Sequence, residues 1–373
     1  MLIRPIAHSD LDTLYQIAVE SGPGFTSLMP DREALTRKIE HSVASFNRTV
    51  STPENEHYLF VLEDEVTGEI MGTTGIEAAV GHDHPLYHFH RNTVTHHSRD
   101  LGLRHSVETL SRCNHYSGCS EICSLYLRPE FRRPNAGKLL SRVRFLFMGL
   151  HPERFADTVI AEMRGVSDDE GRSPFWDWMQ AHFVDMEFAE VTRLISSGNT
   201  DFIEELMPSH PLYTCLLSPE AQSVLSEVHE KTRPALHMLK SEGFRHKGYV
   251  DLFDGGPTVE CKLSGIRSVQ ESEHWSVEID RAPTNDFQKR SRTQFDSPLL
   301  VTNTETAGFR ATVLNDAITR AGSRTLFLTP AQAEQLNLQN GSVCRVLPLT
   351  SQSRTMPAPK EHTRAEVSYA HQS

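Results

Sequence analysis

The chain has 373 residues, with 37 Lys and Arg set against 49 Asp and Glu, for a formal net charge of −12. That length allows two compact domains with their own cores, and a hydrophobic content of 38% suits a soluble globular protein. The acidic balance argues against non-specific binding to nucleic acid or an anionic membrane, which needs a basic surface, and fits a cationic substrate better.

No apolar run approaches the roughly 18 residues of a membrane span. The start, Met1-Leu2-Ile3-Arg4-Pro5, has no signal-peptide core, so a cytoplasmic, unprocessed protein is expected. The six cysteines form no CxxC pair, and reduced, mostly buried thiols follow.

Residues 2–6 read as a first strand. Ser9 and Asp10 offer N-cap chemistry ahead of Leu11, Leu14, Tyr15, Ile17 and Ala18, an apolar stripe at helical spacing. The turn Ser21-Gly22-Pro23-Gly24-Phe25-Thr26-Ser27-Leu28 ends that helix. Asp31 opens a second amphipathic helix through Leu35, Ile39 and Val43 to about Phe46. Residues 58–63 and 69–76 read as a β-hairpin.

Eight of the twenty histidines fall between His82 and His115. Imidazole is the commonest transition-metal ligand, but the spacing matches neither HExxH nor another standard zinc set. An irregular β-rich surface insertion is expected, with no metal.

Residues 122–127 form an apolar strand candidate ending at Arg128-Pro129. A basic loop follows, Arg132-Arg133-Pro134-Asn135-Ala136-Gly137. Lys138 then opens a segment with Leu139, Leu140, Val143, Leu146 and Phe147 at helical spacing. Free N–H groups at a helix start, with the helix dipole behind them, bind phosphate or pyrophosphate. Arg128, Arg132, Arg133 and Lys138 crowd the same spot. There is no GxGxxG and no GxxxxGK followed by Ser or Thr, so neither the Rossmann nor the P-loop fingerprint is present.

This strand, loop and helix resemble the Gcn5-related (GNAT) acyl-CoA N-acyltransferases, whose pyrophosphate loop reads Arg/Gln-x-x-Gly-x-Gly/Ala after a central strand. Arg132 and Gly137 match. Asn135 stands where the family usually has its middle glycine, and Asn is the next residue most tolerant of a left-handed backbone. The preceding order of strand, helices and hairpin is also that of the family.

Further on, residues 158–163 read as a strand, followed by the acidic loop Ser167-Asp168-Asp169-Glu170-Gly171 and a helix start at Ser173-Pro174. Trp176 and Trp178 there read as packing aromatics. Residues 212–217 are a strand candidate. Ser218-Pro219-Glu220 starts a helix through Ala221, Val224, Leu225 and Val228, with His229 in its last turn before Thr232-Arg233-Pro234. A helix over 235–242 is stopped by Gly243, and a strand over 244–253 leads to Asp254-Gly255-Gly256-Pro257.

Residues 275–347 alternate short strands with Gly and Asn turns around one helix near Pro330. The expected fold is α/β (α+β), a tandem GNAT-like acyl-CoA acyltransferase with mixed central sheets flanked by helices. Residues 1–195 would be the acyl-CoA-binding domain, 196–347 a second GNAT-like half with a β-rich extension, and 348–373 a disordered tail.

Several segments together resemble one family, the arginine N-succinyltransferases. They are Leu2-Ile3-Arg4-Pro5, Gly22 to Leu28, Cys123 to Leu140, Val228-His229 through Thr232-Arg233-Pro234-Ala235, and Phe253-Asp254-Gly255-Gly256-Pro257. The resemblance implies transfer of succinyl from succinyl-CoA to the α-amine of L-arginine, without a metal or a covalent enzyme intermediate.

It also implies roles for named residues. Leu125 would offer a main-chain donor and an apolar wall to the thioester, while remaining compatible with an ordinary core leucine. His229 would supply the proton for the departing thiolate, or else merely cap a helix C-terminus, which favours the imidazolium form. Arg132, Arg133, Asn135, Ala136, Gly137 and Lys138 would hold the CoA phosphates. Thr26, Ser27 or an arginine are candidates for the succinyl carboxylate, and Asp168, Asp169 and Glu170 are one source of a carboxylate pair for the guanidinium. L-arginine and succinyl-CoA are the partners implied, and a homodimer is expected. The rivals are an ornithine or other basic amino acid succinyltransferase and a non-catalytic acyl-CoA-binding subunit.

Overall fold

The computed structural model describes residues 1–22, 25–168, 170–196, 198–280 and 292–350. Strand β1 (Leu2–Pro5) leads into helices α1 (Leu11–Ser21) and α2 (Arg32–Asn47). α2 begins where the Asp31 carboxylate accepts the amides of Glu33 and Ala34, at 2.8 and 3.0 Å, two donors that a helix start leaves open. Next come β2 (His57–Glu63), β3 (Ile70–Glu77), β4 (His88–Ser98), β5 (Leu103–Cys113) and β6 (Ser120–Leu127). Helix α3 (Ala136–Leu150) and strand β7 (Thr158–Glu162) complete the first half.

Four short helices follow, α4 (Pro174–His182), α5 (Phe188–Ser196), α6 (Asp201–Leu206) and, after β8 (Leu212–Tyr213), α7 (Pro219–Val224). Then come α8 (Arg233–Glu242), β9 (Arg245–Val250), β10 (Pro257–Lys262) and α9 (Arg267–Glu271). The remainder is β11 (Glu273–Ile279), β12 (Arg292–Gln294), β13 (Leu299–Thr302), β14 (Ala311–Leu314), β15 (Ile318–Arg320), β16 (Thr325–Leu328), α10 (Pro330–Gln335) and β17 (Val343–Pro348).

The fold is mixed α/β, with helices flanking a large sheet, as the sequence led us to expect. All 17 strands among the described residues belong to that sheet, and its neighbours run β12-β15-β16-β11-β17-β13-β14-β1-β2-β3-β6-β7-β10-β9-β4-β5-β8. β2 shows why its central strands read as continuous apolar runs. Tyr58, Phe60 and Leu62 share a core with Leu139, Val143 and Phe147 of α3, while Leu59 and Val61 pack with Leu14 and Ile17 of α1 and Leu35 and Ile39 of α2.

The helix, Gly243-Phe244 turn and strand read as closing a second copy add to the same sheet as β1 to β7. β10 pairs antiparallel with β7 from Thr258↔Glu162 to Lys262↔Thr158, and β9 pairs with β10. The sheet is therefore continuous across residues 195/196, and the β-rich C-terminal strands join it at its other side through β14 and β1. Pro348 and Leu349, expected in a disordered tail, belong to the fold, since Pro348 pairs with Leu299 and Leu349 is buried. The remainder of that tail, from residue 351, lies outside the described residues.

The histidine-rich segment is more regular than expected. β4 and β5 form an unbroken antiparallel ladder from His88↔Cys113 to Ser98↔Leu103, with its outer end exposed.

Candidate functional site

The site is organised by a fork in the sheet. β6 and β7 run parallel but match only at Ser120↔Val159 and Glu121↔Ile160, and beyond those pairs the strands part. Just above the fork β6 carries a bulge, where Ser124 and Leu125 together stand opposite the single residue Thr74. Ser124 takes a φ of 52°, and its carbonyl accepts the Thr73 hydroxyl at 2.9 Å. Gly72 makes the close approach possible, because a Cβ there would lie 2.3 Å from the Tyr126 carbonyl oxygen. Leu125 is thus left without a partner residue in the β3 ladder, half-buried against the α3 core.

The basic loop lies between β6 and α3. Asn135 caps α3 with a φ of 68°, the left-handed backbone for which Asn substitutes for Gly. The Ala136 amide donates to Arg133 O and the Leu139 amide to Asn135 O, so the amides of Gly137 and Lys138 stand between them with no acceptor among the described residues. A Cβ on Gly137 would meet nothing within 4 Å. That glycine is required neither by packing nor by a positive φ, and the space beside it is open.

The four cations divide into two pairs. Arg128 is held by Glu20 at 2.8 Å and Arg133 by Asp64 at 2.6 Å. Asp64 accepts the Val66 amide and the Arg133 guanidinium, which bring its carboxyl down to about 2. Arg132 and Lys138 are exposed and make no ion pair among the described residues. Arg132→Ala and Lys138→Ala are therefore expected to raise the KM for an acyl-CoA donor several-fold, and Arg133→Ala less. Gly137→Ala should raise that KM without lowering the melting temperature, since Ala is favoured over Gly in a helix by about 0.5–1 kcal/mol.

His229 is not in the last turn of a helix. α7 ends at Val224, because Leu225 turns extended and Ser226 takes a φ of 67°. His229 instead caps a short 3-10 turn, Glu230–Thr232, where its Nδ1 accepts the Lys231 amide at 3.2 Å. That bond fixes the tautomer, so in the neutral ring Nε2 carries the proton. The dipole argument for an imidazolium at a helix C-terminus does not apply.

The Asp254-Gly255-Gly256-Pro257 segment holds this histidine beside the fork. The Asp254 carboxylate accepts the amides of Gly165 and Gly256, at 2.6 and 2.8 Å, locking the end of β7 to the β9–β10 turn. Gly256 has to be glycine, since a Cβ would lie 2.2 Å from the Met163 carbonyl oxygen. The Ser226 amide donates to Gly255 O at 2.9 Å, and the His229 amide donates to Arg164 O at 2.9 Å, just past β7. Phe25, in the loop with Thr26 and Ser27, packs its ring 6.0 Å from that of Tyr126 on β6, which brings this loop near Leu125.

The acidic loop does not supply an open carboxylate pair. Asp168 and Glu170 both bind Arg172, at 2.8 and 2.7 Å, on the surface, and Asp169 lies outside the described residues. The sequence reading missed the carboxylates at the fork itself. Glu121 of β6 stands opposite Glu77 of β3, and Glu162 of β7 stands opposite Thr258 of β10. Burial, then Glu162 and Glu77, hold the Glu121 carboxyl well above the usual carboxylate range. The available signal was one acid in each of two otherwise apolar strands.

His57, Glu77 and Cys123 bring possible metal-ligand atoms within 4.8 Å of one another. Glu77 is already engaged by His57 at 2.7 Å and by Lys38 at 3.4 Å, and burial pushes the Cys123 thiol up to about 12, so this trio is a self-neutralised network.

Among the described residues, no helix is long and apolar enough to cross a membrane. A family model described as arginine N-succinyltransferase beta subunit matches residues 1–268. An arginine N-succinyltransferase from Citrobacter koseri is 38% identical over 355 residues, covering 95% of this chain and 99% of the relative. One from Salmonella typhi is 39% identical over 357 residues, with the same coverage. Among solved structures, the arginine/ornithine succinyltransferase subunit AI from Pseudomonas aeruginosa superposes with a TM-score of 0.82 at 36% identity, covering 94% of this chain and 99% of that one. The chain therefore belongs to the arginine N-succinyltransferase family, and it is an acyltransferase.

Proposed function

We propose that this protein transfers the succinyl group of succinyl-CoA to the α-amine of L-arginine, giving N2-succinyl-L-arginine and free CoA, and that it does so in the cytoplasm as a step of arginine catabolism. The observation that carries this reading is the match to arginine N-succinyltransferases over nearly the whole chain.

The chemistry divides among the chain's own residues. The amides of Gly137 and Lys138, with the Arg132 and Lys138 side chains, hold the CoA pyrophosphate, and Arg133, Asn135 and Ala136 shape that cradle. The thioester lies along the fork with its carbonyl oxygen toward the main chain of Leu125, where a donor strengthens as negative charge develops on the oxygen. The neutral amine attacks the carbonyl carbon, the C–N bond forms and the amine gives up a proton. The C–S bond then breaks, the thiolate takes the proton from His229 Nε2, and the proton given up by the amine replaces it there. A homodimer is the expected assembly.

The P. aeruginosa protein is described as acting on arginine and ornithine, which makes ornithine the second acceptor to try. Mass spectrometry of the product from succinyl-CoA and L-arginine tests the reading. Succinyl on the α-nitrogen supports it, whereas succinyl on the guanidine, or no product, refutes it.

A further inference from the structure

The Glu121 side chain makes no hydrogen bond or ion pair among the described residues, although the residue is half-buried at the base of the fork. Its neighbours are already employed. Glu77 is bound by His57 and Lys38, Asp254 caps Gly165 and Gly256, and Asp251 accepts the amides of Phe253 and Asp254 at 2.7 and 2.9 Å. Glu162, on the other arm, is met by His88 Nε2 at 2.7 Å and keeps 30% of its side chain exposed.

Two further polar groups on this face lack partners. Thr258 is fully buried, stands directly across from Glu162 and so shares its face, and its Oγ1 has no partner among the described residues. His88 is fully buried too, and its Nδ1 is likewise unmet. Buried polar groups of this kind are rare without a partner, whether in the protein or in what it binds.

Resting on the reading above, we propose that Glu121 and Glu162, one from each arm of the fork, seat the cationic side chain of the acceptor amino acid, with Thr258 Oγ1 as a further acceptor. The alternation of the strands supports this. Ile122 and Val159 face the α3 core, so Glu121, Ile160, Glu162 and Thr258 face the other side of the sheet.

An organic cation fits better than a metal ion. The carboxylates of Glu121, Glu162 and Asp251 do not form a group with all ligand atoms within 4.8 Å, a spacing that one divalent ion would need. A guanidinium is wide and planar and offers five donors, so it can bridge acceptors on two diverging strands. From Glu121 to Leu125 is four residues of strand, about 13 Å at roughly 3.3 Å per residue. An extended arginine with its guanidinium at the base would direct its α-amine up the fork toward the thioester.

The test compares the intact protein with its Glu121→Gln and Glu162→Gln variants, using L-arginine and its uncharged isostere L-citrulline as acceptors. Each substitution should raise the arginine KM by about tenfold or more and leave the succinyl-CoA KM unchanged, because removing one partner of a buried charge contact leaves the other charge unpaired. The unsubstituted protein should discriminate strongly against citrulline, and Glu121→Gln should narrow that gap. Arginine KM values within twofold of the unsubstituted protein in both variants would overturn the proposal. Equal use of citrulline and arginine by the unsubstituted protein would overturn it without any variant. Succinyl transfer to no amine at all, with succinyl-CoA still bound, would instead sink the transferase reading, and calorimetric binding of L-arginine to the two variants then decides the seat separately.

Discussion

His229→Ala is expected to lower kcat by about 10²- to 10⁴-fold while leaving succinyl-CoA binding unchanged, the range for loss of a positioned acid or base. Two consequences of the substitution have to be told apart, because His229 Nδ1 also accepts the Lys231 amide and holds the turn that follows. His229→Asn separates them. Its side-chain oxygen can accept the same amide from a similar position but carries no proton where Nε2 stood. Both variants should therefore be slow, with the Asn variant nearer to the parent in melting temperature. Recovery of turnover in His229→Asn would make the histidine a turn cap and remove it from the chemistry.

Phe309→Ala is expected to cost about 3–5 kcal/mol of unfolding free energy, the range for truncating a buried Phe. Phe309 is fully buried, with ring centroids 5.5 Å from Phe60 on β2 and 5.1 Å from Phe147 on α3. It nevertheless lies beyond residues 1–268, where the family model matches. Leu300, Ala311 and Leu347 join the same core from β13, β14 and β17. The β-rich C-terminal part is thus built into the core beneath α3, the helix whose start forms the candidate phosphate cradle. Urea unfolding of the full chain measures the cost. A loss under about 1 kcal/mol, the scale of ordinary surface substitutions, would mean that the two parts fold independently.

What was legible in the sequence was local. The apolar strand ending at Leu127, the small-residue loop and the helix from Ala136 sit in consecutive positions, and Asn135 adopts the left-handed backbone that its chemistry permits. The Gly255-Gly256 pair stood out too, although its purpose was visible only once Met163 and Gly165 were seen packed against it.

The errors came from non-local pairing and from apolar residues that hide a break. Leu225 and Val228 continue the spacing of α7, and both are buried, but from a loop, so their pattern concealed the helix end before His229. β9 and β10 extend the sheet from β7, a pairing that nothing in their residues announces. Glu121 and Glu162 lie far apart in the chain and become neighbours only through the two register pairs at the base of the fork. Asp168 and Glu170 of the acidic loop, conspicuous in sequence, are satisfied by Arg172 beside them.

Thiol release from succinyl-CoA, followed with L-arginine, L-ornithine, L-lysine or no acceptor, and with acetyl-CoA as a second donor, tests the central claim most directly. Release that requires both succinyl-CoA and a basic amino acid, fastest with arginine, is the predicted result. Binding of succinyl-CoA without release under any pairing would contradict it and leave an acyl-CoA-binding subunit in its place.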